Sequence, residues 1–129
     1  MLFGTAVVSG VMLIRPLLTS LFAGSVAQVG ALEAVQMMNR RDAVVLDVRA
    51  AAEFAAGHVP NARNIPFADL TGRLREIEKF KSRPIVICGD AGSRASKVSG
   101  ALEKIGFTEV FALKGGLRGW VEASLPVEK

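Results

Sequence analysis

Hydrophobic positions fall into two regimes along the chain. Residues 1–32 are apolar or small and carry one charge, Arg15, whereas beyond them apolar residues recur in short blocks separated by polar turns. Leu32, Val35 and Met38, with Gln36 between, predict a short amphipathic helix that stops at Asn39-Arg40-Arg41. Ala43-Val44-Val45-Leu46-Asp47-Val48 and Ile85-Val86-Ile87-Cys88 are apolar, β-branched runs of the length of a strand buried on both faces. Val110-Phe111-Ala112-Leu113 reads as a third strand. Between these lie a short helix over 50–56 with Gly57 at the usual C-cap position, and a proline-containing loop over 59–66 with a brief extended piece. One helix is marked by Leu70, Leu74, Ile77 and Phe80, another runs over 94–105 to Gly106, and a last one over 117–121 follows the Gly115-Gly116 turn. Strands alternating with helices predict an α/β fold, a parallel central sheet with helices on both faces.

The apolar leader, residues 1–27, is set apart from a domain over 28–129, with Gly24 to Gly30 read as the linker. The run from Leu2 to Ile14 is too short to span a bilayer, which takes about 20 apolar residues. A helix from Leu2 to Ala23 is long enough but must carry Arg15 and Pro16, which membrane helices tolerate by snorkelling and by local adjustment of the backbone. A membrane anchor is the expectation. The competing readings are a cleaved signal peptide, for which Ser25-Val26-Ala27 resembles a small-x-small site but no basic n-region precedes, and a packing helix, which lacks the polar face it needs. An anchor followed closely by Arg40 and Arg41 puts the domain in the cytoplasm by the positive-inside bias. Signal cleavage would make it periplasmic.

Composition changes the picture in two places. The 129 residues carry a net charge of +4, but the cations are interleaved with acids and the few aromatics do not alternate with them, so no nucleic-acid surface is expected. One cysteine and one histidine exclude an internal disulfide and give no metal-ligand spacing, and no cofactor is implied.

Chemistry gathers around Cys88. It ends a buried strand, a Gly-containing turn follows, and a helix begins near Ser93-Arg94. Backbone amides and the positive end of a helix dipole then converge near the sulfur, favouring thiolate and cradling an anion, with Arg94 adding a charge at the mouth. The alternative is a small apolar side chain in a core strand, the commoner fate of a lone cysteine.

Asp47-Val48-Arg49, Glu53-Phe54 and the stretch from Gly57 through His58 to Pro66 resemble the first signature region of rhodanese domains. The segment from Cys88 to Arg94 falls where that family keeps its active-site loop, and Leu113 to Trp120 resembles its C-terminal signature. A leader followed by one such domain is similar to membrane-anchored bacterial rhodanese-like proteins. The resemblance implies a sulfurtransferase or sulfur carrier. Cys88 would attack the outer sulfur of thiosulfate or a persulfide, with Gly89, Asp90, Ala91, Gly92, Ser93 and Arg94 holding the product. A thiol or cyanide would then accept the sulfur. Asp47, Arg49 and His58 are implied to be structural around the site; Trp120, with Leu113 and Phe111, reads as core closure rather than a binding platform.

The loop departs from the family pattern. Rhodaneses usually place the arginine five residues after the cysteine, and here Arg94 is the sixth after Cys88. Either Cys88 is the nucleophile with one extra loop residue, or Gly89 stands at the nucleophile position and Cys88 faces away, because adjacent strand residues point to opposite sides. The second arrangement makes a catalytically silent binding or regulatory domain. The spacing C-x5-R is also that of rhodanese-fold phosphatases and arsenate reductases, although Asp90 would place a repelling carboxylate in an oxyanion cradle.

Overall fold

The computed structural model describes residues 26–89 and 93–129. The apolar helix expected over the leader, and the loop residues Asp90, Ala91 and Gly92, lie outside the described residues. Among the described residues no helix is long and apolar enough to cross a membrane.

In chain order the elements are β1 (Gln28–Val29), α1 (Ala31–Arg41), β2 (Val44–Asp47), α2 (Ala51–Ala56), β3 (Arg63–Asn64), a 3-10 turn (Phe67–Asp69), α3 (Leu70–Arg73), α4 (Arg75–Glu78), β4 (Ile85–Cys88), α5 (Ser93–Lys104), β5 (Val110–Leu113) and α6 (Gly116–Glu122). The strands form one sheet in the order β1-β5-β4-β2-β3, parallel at every pairing. β2 and β4 are central, with Val44 opposite Ile85 and Asp47 opposite Cys88.

The apolar runs behave as strands covered on both faces. On one face Val45, Val86 and Cys88 pack with Ala31, Ala34 and Met37 of α1 and Trp120 of α6. On the other, Val44, Leu46, Ile85 and Ile87 pack with Leu70, Ile77, and Val98 and Leu102 of α5. Every side chain of β2 and β4 is buried, so the pleat commits each in turn to one core or the other.

Two local expectations are corrected. The Gly24–Gly30 stretch is not all linker, because Gln28–Val29 forms edge strand β1, with Ala112 donating to the Ala27 carbonyl and Lys114 to that of Val29. Two residues are too few to show a period. The helix expected around Leu70–Phe80 is a 3-10 turn and two single-turn helices, broken at Leu74. Its apolar spacing reports burial of Leu70, Leu74, Ile77 and Phe80 in one core rather than an unbroken hydrogen-bond ladder, and Gly72 weakens the helical alternative. Gly57 stands at the C-cap of α2 as expected, its N–H donating to the Phe54 carbonyl, with an extended backbone at φ 163 and ψ 136. A left-handed C-cap ends α1 at Asp42, at φ 54.

Leu102 is fully buried whereas Leu32 of α1 is 65% exposed. Leu102→Ala is expected to lower unfolding free energy by about 2–5 kcal/mol, and Leu32→Ala by no more than about 0.5 kcal/mol, both read from urea melts.

Candidate functional site

The carboxyl end of β2 is organised by one buried charge. Asp47 is fully buried, and Arg49, two residues on, folds back onto it. Arg49 Nη2 donates to Asp47 Oδ2 at 2.8 Å, Nε lies 3.0 and 3.1 Å from the two carboxylate oxygens, and the Arg49 backbone amide donates to Oδ1 at 2.9 Å. The same guanidinium donates to the Gly57 carbonyl at 2.8 Å, tying the C-cap of α2 to the end of β2. Donating hydrogen bonds to the Asp47 carboxylate raises the Arg49 pKa. Asn64 completes the clamp, its Nδ2 donating to the Asp47 and Arg49 carbonyls at 3.0 Å each. Asn64 had no role assigned from sequence. An amide side chain at the end of a short strand, level with the end of its parallel neighbour, was the available signal.

Cys88 pairs with Asp47 in register, on the same face. The side chain is fully buried, within the core that contains Val45, Val86, Leu113 and Trp120. Burial pushes the thiol up to about 12, the Asp47 carboxylate adds to the rise, and Arg49 opposes it. At neutral pH the group is therefore a neutral thiol. Gly89, the next residue, lines a cleft instead, and a Cβ added there would stand 2.7 Å from Val48 Cγ2.

That cleft, about 500 Å³, lies beyond the carboxyl ends of the strands. Arg49 and Gly89 form one wall. Gly115, Gly116, Leu117, Arg118, Val121 and Glu122 from the β5–α6 turn and α6 form the other. Gly116, at φ +55, sits so close to β4 that a Cβ on it would come within 2.9 Å of the Gly89 carbonyl. The α6 lining was missed in the sequence, where Gly115-Gly116 read only as a turn. The signal was its place after a strand, because ligand crevices of open parallel sheets form at the carboxyl ends.

The remaining expected residues divide. Ser93 opens α5, and the exposed Arg94 holds its guanidinium carbon 5.4 Å from the Phe67 ring centroid. His58 lies away from the cleft lining. Its ring stacks on Phe54 at 3.7 Å, with Nδ1 2.7 Å from the Phe54 carbonyl. The His58 backbone bridges to Glu128, whose carboxylate accepts from the Asn61 amide. Trp120 is buried and donates through Nε1 to the Pro126 carbonyl at 2.7 Å.

The family model for the rhodanese-like domain matches residues 31–123, from the start of α1 to just past α6. The chain belongs to the rhodanese-like domain family. Among its relatives is the uncharacterized protein YibN of Escherichia coli, 35% identical over 96 residues, which are 74% of this chain and 67% of that one. The thiosulfate sulfurtransferase GlpE of Coxiella burnetii is 31% identical over 93 residues, 72% of this chain and 85% of that one. The crystal structure of the Alr3790 protein from Anabaena aligns with TM-score 0.62 and 30% identity, covering 74% of this chain and 88% of that one. In this rhodanese-like domain the Asp47–Arg49 clamp and the β5–α6 turn bring two of the three signature regions to one end of the sheet.

Two outcomes follow. Arg49→Met leaves the Asp47 carboxylate buried without its cation, and is expected to cost about 3–5 kcal/mol of stability in chemical denaturation. The Cys88 thiol has a higher pKa folded than unfolded, so its contribution is complete below the ordinary thiol range. It is lost as pH rises from 9.0 to about 12. The stability advantage of wild type over Cys88→Ala should shrink across that window, followed by denaturant melts at stepped pH.

Proposed function

We propose that this rhodanese-like domain is a catalytically silent binding or regulatory module, held at a membrane by residues 1–27 with the domain on the cytoplasmic side. The observation that carries the first part is the side Cys88 takes. Its side chain packs in the core between α1, α6 and the sheet, while Gly89, without a side chain, borders the cleft. A neutral thiol surrounded by apolar groups and a carboxylate is a poor nucleophile, because thiolate is the reactive form. The same burial counts against oxyanion chemistry on the C-x5-R loop. The cleft is what remains for binding, with Arg118 on its rim.

The second reading is sulfur transfer, with a persulfide formed on Cys88 from thiosulfate or another persulfide and its sulfane sulfur passed to a thiol or cyanide. It is favoured by the likeness to the Coxiella thiosulfate sulfurtransferase across most of that protein. Intact mass after incubation with thiosulfate and desalting separates the two. The silent reading expects no added sulfur in native protein. One added sulfur atom in wild type, missing in Cys88→Ser, would replace it with sulfur transfer.

A further inference from the structure

Helix α6 works on two sides. Leu117, Arg118, Val121 and Glu122 line the cleft, whereas Trp120 is buried in the core that holds Cys88. Gly116, the first residue of the helix, is buried against the Gly89 carbonyl, where a Cβ would stand 2.9 Å away. The start of α6 therefore closes directly on the residue that follows Cys88, and Trp120 covers the same core one turn on. The helix has 7 residues, and a helix that short does not hold its place by its own hydrogen bonds.

The segment that follows fastens it. Ser124 turns the chain at φ 63, its N–H donating to the Val121 carbonyl, and Leu125 packs against the core of Cys88 and Trp120. Trp120 Nε1 donates to the Pro126 carbonyl at 2.7 Å. Beyond it, His58 and Glu128 exchange both backbone hydrogen bonds, each 2.9 Å, in an antiparallel bridge. The Glu128 carboxylate also accepts from the Asn61 amide at 3.0 Å. The anchorage is firm on the domain side, because the neighbouring Gly57 carbonyl is held by Arg49. Residues 124–128 are thus a strap from α6 to the loop between α2 and β3, closed at its far end by these three hydrogen bonds. That end is open to water, with the Glu128 side chain 52% exposed, so each bond favours closure by only about fivefold.

We propose that the strap is an autoinhibitory clasp: fastened, it holds α6 down and seals Cys88, and released, it lets α6 lift and opens the thiol to the cleft end of the sheet. The clasp rests on the silent reading above and states what keeps the sulfur inert. Weakly bonded, solvent-exposed segments open locally, well before the fold as a whole. Burial is the largest cause of the raised Cys88 pKa, and lifting α6 removes it. The cleft and the thiol lie on two sides of one helix, so a ligand that displaces α6 from Gly89 acts on both.

The test follows alkylation of Cys88 by iodoacetamide in the full chain, in which the thiolate displaces iodide, read by intact mass. Glu128→Pro removes an N–H and the carboxylate, two of the three closing bonds, and should accelerate labelling about thirtyfold. Glu128→Ala removes one and should give about fivefold. Both rates should stay flat in dilute urea, because opening a strap exposes little surface. Ile77→Val, in the core on the other face of the sheet, loosens the fold as a whole and should label at the wild-type rate. Labelling that climbs with urea from the start, and rises as much in Ile77→Val as in Glu128→Pro, makes the opening global and overturns the clasp. Wild-type rates in both Glu128 variants overturn it as well. Sulfur gained from thiosulfate by native wild type, read on a separate sample, overturns the silent reading itself, whereas the alkylation rates overturn the clasp alone.

Discussion

A strand covered on both faces has no neutral side. Each residue of β2 and β4 enters one of two cores, and a shift by one position moves a side chain from helices α1 and α6 to helices α3, α4 and α5. The central sheet holds its register under this constraint, and the chemistry at its end inherits it. Cys88 shares the parity of Val86 and falls beneath Trp120. Gly89 carries the next position out to the cleft. A single step along the pleat separates a side chain in the core from a position that lines the cleft.

The buried Asp47 has consequences in both directions. Toward the fold, it ties the end of β2 to the end of α2 through Arg49 and Gly57, while Asn64 binds the adjoining backbone to β3. Toward the site, it stands beside Cys88 in register and opposes ionisation of the thiol. A group that favours assembly of the end of the sheet therefore works against a thiolate there. Arg49 offsets this only in part, because its guanidinium is already committed to the same carboxylate.

Parallel topology gives the domain two unlike ends. The carboxyl ends of the strands meet glycines at 89, 115 and 116, and the close backbone approach they permit shapes an open cleft. Before the amino end of β4, long basic side chains gather over Phe80 instead.

Local pattern was enough for the architecture. The runs 43–48, 85–88 and 110–113 are apolar without alternation because strands between two helical layers bury both faces, and three ordered signature regions identified the family. The two-residue strand β1 and the broken helix around Leu74 were beyond that reach, since neither leaves a period long enough to read. The sequence also named Asp47, Arg49 and Cys88 as residues at one end of the sheet, and it supplied both possible alignments of the loop. It could not choose between them, because counting to Arg94 measures loop length and not the side to which a strand residue turns. Tertiary packing decides where the Cys88 side chain lies: the core between α1 and α6 takes it, and Val48 leaves no room for a side chain at Gly89.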